Sequence, residues 1–150
     1  MIERIEHTSE LELRLESPTL EALLEEALRA VAEEVEEDVE EGKSPAAAPL
    51  PRRPIEAPGG QAERRAVAID ASGPDTLLAD LLNEAIFLME TEGFLPAALE
   101  VRELDGGRLR GALVGRCAEA VRPLVKAATY HRLEARREGA GWRGTVVLDV

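Results

Sequence analysis

Hydrophobic and polar residues alternate near the start of the chain and then change to a helical spacing. Leu11, Leu13 and Leu15 alternate with charged residues, which predicts a half-buried strand, and residues 2–6 predict another strand before it. Apolar residues then recur every three or four positions over 19–37, as in an amphipathic helix. Ser17-Pro18 supplies a cap and a first-turn proline for this helix.

A second helix is predicted downstream, after a strand marked by Val67 and Ile69. Pro74-Asp75 opens this helix, and Gly93 is placed to end it as a left-handed cap. Its apolar stripe is wide, so we expect it to be deeply buried against a sheet.

Two hairpins complete the predicted fold. Each is a pair of strand-like segments around a turn rich in glycine. The pairs are 99–104 with 109–115, around Asp105-Gly106-Gly107, and 127–137 with 142–149, around Glu138-Gly139-Ala140-Gly141. Helices placed between antiparallel hairpins predict an α+β fold, with antiparallel sheets packed against two long helices.

A turn centred on Gly139-Ala140 sets the register of the last hairpin. The pairs it predicts are Leu133 with Val146, His131 with Leu148 and Tyr130 with Asp149. His131 would then share the face of Leu133 and be half-buried. Lys126 would lie four residues before Tyr130, and so roughly 13 Å from Asp149 at ~3.3 Å per residue.

Residues 40–63 interrupt this pattern. They combine acidic residues, alanines and prolines with little apolar periodicity, so we expect a mobile loop inside one domain that spans 1–150. A tolerated surface insertion is the favoured interpretation, and a lid that contacts a partner is the alternative.

Composition narrows the possible functions. The chain has 150 residues, of which 45% are hydrophobic and only 3% aromatic, so one domain with an aliphatic core is expected. The net charge of −12 disfavours direct nucleic-acid binding and favours a basic protein or a cation as partner. The single cysteine, Cys117, excludes an internal disulfide, and neither a membrane span nor a signal peptide is recognised, so a cytoplasmic location is expected.

The usual catalytic motifs are absent, including the phosphate loop, the nucleophile elbow and the paired zinc signatures. Cys117 with His131 is a conceivable thiol and base, but a lone cysteine is more often simply packed. His7 precedes a turn and is placed to orient the loop that carries Glu10, and neither histidine is a persuasive metal ligand.

Three motifs, in this order along the chain, resemble those of the archease family. Glu6-His7-Thr8-Ser9-Glu10 is similar to the family's His-Thr-Ala-Asp, and Glu90-Thr91-Glu92-Gly93-Phe94 to its Asp-Thr-Glu-Gly-Phe. The third runs Lys126-Ala127-Ala128-Thr129-Tyr130-His131, followed by a hairpin, Trp142 and Val147-Leu148-Asp149-Val150. The chain departs from the family pattern at positions 10 and 90, where Glu replaces an expected Asp.

The resemblance implies a function and a set of site residues. Archeases activate RtcB-type RNA ligases, which implies an accessory protein, itself no enzyme, that promotes nucleotidylation (guanylylation) and multiple turnover of such a ligase in tRNA splicing and RNA repair. It also implies that Glu10 and Asp149 hold a divalent cation. All-oxygen ligation suits a hard ion, Ca²⁺ first, with Mg²⁺ or Mn²⁺ as alternatives. Lys126 matches the family's functional lysine, which would contact the partner or a nucleotide phosphate.

Other residues and other functions stay open from the sequence. Glu90 and Glu92 lie at a predicted helix carboxyl end, where the macrodipole disfavours anions, so a cation, a partner's arginine or ordinary surface exposure would each explain them. With His7 and His131 they are possible accessory site residues. The alternative functions are a chaperone or modulator of an RNA-modifying methyltransferase, and a small hydrolase using Lys126, His131 and the carboxylates.

Overall fold

The structure is a computed structural model that describes residues 1–7, 9–37, 62–118 and 121–150. Among these residues it contains two helices and nine strands. They are β1 (Ile2–His7), β2 (Glu10–Ser17), α1 (Leu20–Glu33), β3 (Val35–Glu37), β4 (Glu63–Asp70), α2 (Pro74–Glu92), β5 (Phe94–Asp105), β6 (Arg108–Cys117), β7 (Val121–Pro123), β8 (Ala127–Glu138) and β9 (Gly141–Asp149).

The strands form two larger antiparallel sheets. One has the order β1-β2-β9-β8 and the other β4-β6-β5, while β3 and β7 form a separate pair. Both helices contact strands of both larger sheets, and one hydrophobic cluster joins all of these elements. The predicted α+β fold is therefore confirmed. Neither helix, within the described part of the chain, is both long and apolar enough to cross a membrane.

Helix α1 is shorter than the sequence predicted, and its cap lies elsewhere. Thr19, not Ser17, is the N-cap, and its hydroxyl accepts a hydrogen bond of 3.1 Å from the backbone N–H of Ala22. The helix ends at Glu33, because the next residues leave helical geometry and pair with β7 as β3. The prediction that this helix continues to position 37 was wrong, since strand pairing prevails over helical spacing there.

The predicted ends of α2 are confirmed. Pro74 lies in its first turn, and Gly93 caps it with φ +67°. A Cβ on Gly93 would lie 2.3 Å from the carbonyl oxygen of Ala118, so close approach of the backbone requires glycine as much as the positive φ does.

The β5–β6 hairpin has the predicted turn and longer strands than predicted. Gly106 in that turn has φ +61°. Strand β4 begins at Glu63, so the last residue of the segment expected to form a loop belongs to a strand. Residues 40–61 lie outside the described residues, and the remainder of the loop prediction stays a prediction.

The register of the last hairpin is right near its turn and wrong further away. Glu138 pairs with Gly141 and Glu134 with Thr145, as a turn on Gly139-Ala140 requires. The next pair is Thr129 with Val147, so residues 130–133 form a bulge opposite a single residue of β9.

The bulge moves every earlier residue of β8 relative to β9. Leu148 pairs with Ala128 and not with His131, and Asp149 pairs with Ala127 and not with Tyr130. His131 is exposed, so its predicted half-buried position is also wrong.

Candidate functional site

The two carboxylates implied by the resemblance meet across the centre of the first sheet. Strands β2 and β9 are antiparallel neighbours, and Glu10 is the direct partner of Asp149. The adjacent pair, Leu11 with Leu148, is buried against the core. Because side chains alternate along a strand, Glu10 and Asp149 both lie on the opposite face of the sheet, where Glu10 is half-buried and Asp149 exposed.

Backbone hydrogen bonds fix the chain on both sides of Asp149. The N–H of Val150 donates to the carbonyl of Ser9 at 3.0 Å, and the N–H of Lys126 donates to the carbonyl of Asp149 at 2.7 Å. Ser9 has φ +66°, a left-handed conformation that a non-glycine residue adopts at some cost. His7 ends β1 as the backbone partner of Glu10.

Lys126 is a direct neighbour of Asp149. The predicted separation of roughly 13 Å is wrong, because the bulge shifts β8 so that Ala127, and not Tyr130, lies opposite Asp149. The Lys126 side chain is exposed. The backbones of Glu10, Lys126 and Asp149, from the first and third motifs, are therefore brought together at one end of the sheet.

Helix α2 holds the start of β8 through a residue that the sequence reasoning missed. The side-chain amide of Asn83 donates to the carbonyl of Ala128 at 3.0 Å, and its oxygen accepts from the N–H of Ala128 at 2.8 Å. Two residues on, the Tyr130 hydroxyl donates to Asp80, and this hydrogen bond raises the pKa of Tyr130. A lone asparagine among the apolar residues of a buried helix was the signal that could have identified this contact.

A buried carboxylate was also missed. The Glu12 side chain is only 4% exposed and accepts from Arg14 Nε at 2.7 Å, while Arg132 Nη2 lies 3.2 Å from its other oxygen. The hydrogen bond to Glu12 is the main reason that the pKa of Arg14 is raised. Strand alternation places Glu12 on the polar face, so nothing in the sequence distinguishes it from a surface acid. It is part of an ion cluster that ties the bulge to the sheet, since Arg132 belongs to residues 130–133.

Glu92 of the second motif takes part in an ion pair with Arg65, apart from Glu10 and Asp149. Glu92 Oε1 is 2.6 Å from Arg65 Nε, and the Arg65 guanidinium lies 5.0 Å from the centre of the Phe94 ring. This internal ion pair accounts for Glu92 near the helix carboxyl end without a cation or a partner's arginine. Glu90 is exposed on α2.

The conceivable thiol and base are not brought together in one sheet. Cys117 ends β6 in the three-stranded sheet, whereas His131 belongs to the bulge in β8 of the four-stranded sheet. Cys117 is exposed, and not packed as expected, with its sulfur 3.5 Å from Arg65 Nη2.

The number and type of side chains near Glu10 limit which metal ions could bind there. Within the described ranges, no group of three or more His, Cys, Asp or Glu side chains is arranged to hold a metal ion. Two carboxylates on one face suit a hard cation that completes its shell with water or with groups from another molecule. They offer fewer oxygens than the roughly six to eight that Ca²⁺ takes.

The fold and site define a class: an α+β protein whose first and last long strands pair at the centre of a sheet and carry facing carboxylates. The chain belongs to the archease protein family (MTH1598/TM1083), whose sequence profile matches residues 3–150.

Two named relatives and one solved structure are similar to the chain. The archease of Methanopyrus kandleri is 32% identical over 157 residues, covering 99% of this chain and 98% of the relative. The archease of Archaeoglobus fulgidus is 34% identical over 94 residues, covering 57% of this chain and 67% of the relative. The solution structure of Methanobacterium thermoautotrophicum protein 1598 superposes with a TM-score of 0.65 at 22% identity, covering 99% of this chain and 98% of that one, which supports the fold.

Proposed function

We propose that this protein is an accessory protein that activates an RtcB-type RNA ligase by promoting its nucleotidylation and multiple turnover. One observation carries the proposal. Glu10 and Lys126 come from motifs at opposite ends of the chain, and both are placed beside Asp149, the acid in the terminal motif. The proximity of these three motif residues along the backbone is what supports the proposal.

The Glu10–Asp149 pair supports a cation in that place. Like charges directly opposite one another destabilise a sheet, so a divalent ion bound between them would remove a repulsion as well as gain two ligands. Mg²⁺ and Mn²⁺ fit a site of two carboxylates and water, whereas Ca²⁺ would draw more oxygens from the partner.

Lys126 supports a contact beyond the protein itself. Its backbone is fixed by Asp149 while its side chain is exposed, so Lys126 starts from a set position next to Asp149 and its ammonium is free to reach another molecule. An ammonium would be repelled by a cation in the same site. Its role is therefore to contact the ligase or a nucleotide phosphate bound there.

The charge of the chain supports a protein partner over nucleic acid. A net charge of −12 repels a phosphate backbone and attracts the basic surface that an RNA ligase needs for its own substrate. The ligase carries out the bond-forming chemistry in this proposal, and the present protein changes how readily the ligase is charged with nucleotide.

A ligation assay with limiting ligase from the same organism tests the function. We expect the ligase alone to give about one product per molecule, and the ligase with this protein to give many. The protein without ligase should give none, and the Asp149→Asn variant is the matched control for the carboxylate pair. If the ligation rate did not change with any divalent ion tried, the proposal that this protein activates the ligase would be wrong.

A further inference from the structure

Three of the large apolar side chains that are exposed belong to α2, to β8 and to the segment just before β8. Phe87 is 57% exposed, Tyr130 59% and Leu124 46%. Aromatic residues make up only 3% of this chain, so leaving two rings in solvent is a notable use of them. Single exposed apolar residues need no explanation, but a row of them marks an interaction surface.

Contacts between α2 and β8 place these residues in a row. Asp80 accepts from Tyr130 and Asn83 is bonded to Ala128, so the helix runs antiparallel to the strand. One helical turn from Asn83 to Phe87 advances about 6 Å, and two residues back from Ala128 advance ~6.6 Å along the strand. Phe87 therefore lies beside the segment around Lys126.

Leu124 lies two residues before Lys126 and continues the row. Its backbone is held, because its N–H donates to the carbonyl of Glu34 at 2.8 Å, while its side chain points into solvent. We name the surface of Phe87, Leu124 and Tyr130 the α2–β8 seam. Its backbone is fixed by α2 and by Glu34, so little order would have to be gained when another molecule binds.

The charge around the seam indicates what binds to it. Asp80 and Glu84, both half-buried, lie on the same side of α2 as Phe87, and the exposed Glu90 follows one turn later. Three cationic residues belong to the same segments: Lys126, joined to Asp149 through the backbone, Arg132, paired with Glu12, and Arg122, which also has a partner. The seam is therefore apolar with charges of both signs around it, and the net charge of −12 of the whole chain favours a basic partner.

We infer that the α2–β8 seam is the docking surface for a basic protein partner with an apolar pocket, and that docking there carries Glu10, Lys126 and Asp149 into the partner's active site. The inference rests on the proposed function, so the partner is the ligase. Aromatic anchors at the centre of an interface dominate its affinity, which assigns that role to Phe87.

The test compares Phe87→Ser with Phe87→Leu, each also combined with Leu124→Ser. The measurement is the protein concentration that gives half-maximal ligase activation, together with direct binding to the ligase. We expect Phe87→Ser to raise the half-maximal concentration for activation and the Kd for the ligase on the order of tenfold or more. For the matched Phe87→Leu variant both values should stay within about threefold of the wild type. The maximal activation should not change, because the carboxylates and Lys126 are intact. Affinity should fall as salt rises, since a chain with a net charge of −12 meets a basic surface.

Each other outcome overturns the inference in a recognisable way. If the wild-type protein activates the ligase and the seam variants match it with equal melting temperatures, only the docking surface is wrong. If the difference between variants disappears when the ligase is freed of RNA by nuclease, the occupant is RNA and not protein. If the wild-type protein neither binds nor activates the ligase, the proposed function falls and the seam assignment with it.

Discussion

Replacing Asp149 by Asn should change the stability of the protein in opposite directions with and without a divalent ion. Glu10 and Asp149 are direct cross-strand partners, so their Cβ atoms lie about 5 Å apart, and we take the same spacing for the two charges. At that distance in water their repulsion is on the order of 0.8 kcal/mol, and salt reduces it further. Without metal, Asp149→Asn should therefore be as stable as the wild type or more stable by up to about 1 kcal/mol.

With metal, the order reverses. An ion that binds only the folded state adds about 2.7 kcal/mol at a hundredfold excess over Kd. For a chain of this length that raises Tm by roughly 5–11 °C, an increment that the variant should lack.

The assay is thermal unfolding in a chelator and then in Mg²⁺, Mn²⁺ and Ca²⁺ in turn. Glu10→Gln should behave like Asp149→Asn, because each leaves one ligand. Asp105→Asn, in the exposed turn of the other sheet, is the control and should respond to metal like the wild type. An equal rise in Tm for the wild type and Asp149→Asn would remove this carboxylate from any metal site.

Four further outcomes are expected. Lys126→Ala should keep the fold and any metal-dependent rise in Tm, since its backbone N–H contacts Asp149, but should lose most ligase activation in the ligation assay. Tyr130 is the only tyrosine, so its ultraviolet titration is unambiguous: its pKa should lie above the ordinary value, and Asp80→Asn should bring it back. Because that folded-state pKa is raised, the stability it contributes is present below about pH 10 and is lost as the pH rises through the folded value. At position 132, φ is +54°, so Arg132→Gly should be about 1 kcal/mol more stable than Arg132→Ala in denaturant unfolding, although both lose the ion pair with Glu12. Replacing most of residues 40–63 by a short Gly/Ser linker should leave Tm nearly unchanged, and a large fall would show a packed segment.

Features set by neighbouring residues were predictable from the sequence. Pro74 and Gly93 mark the two ends of α2, because one lacks an N–H and the other accepts a left-handed backbone. Gly139, with φ +61°, marks the hairpin turn for the same reason. These residues act through their own backbone, so a single sequence is enough to recognise them.

Features set by distant contacts were not predictable. Residues 35–37 continue a helical pattern but form β3, because β7 is available to pair with them. The burial of Glu12 depends on a bulge more than a hundred positions later, and the role of Asn83 depends on the backbone N–H and carbonyl of Ala128, which is 45 positions away. In each case the contact partner is distant in sequence, so composition and periodicity cannot predict the contact.

At the candidate site, a single irregularity in strand β8 determines which residues lie next to Asp149. With the register set by the turn alone, Asp149 would lie opposite Tyr130, four residues away from Lys126. The bulge at 130–133 moves β8 back by three residues, so that Ala127 pairs with Asp149 and the N–H of Lys126 reaches the carbonyl of Asp149. Glu12 binds Arg132 within that bulge. An ion pair between the exposed Arg132 and the buried Glu12, which contacts neither Lys126 nor Asp149, thus supports the bulge that brings those two residues together. The motif spacing could therefore identify these residues but could not predict their geometry.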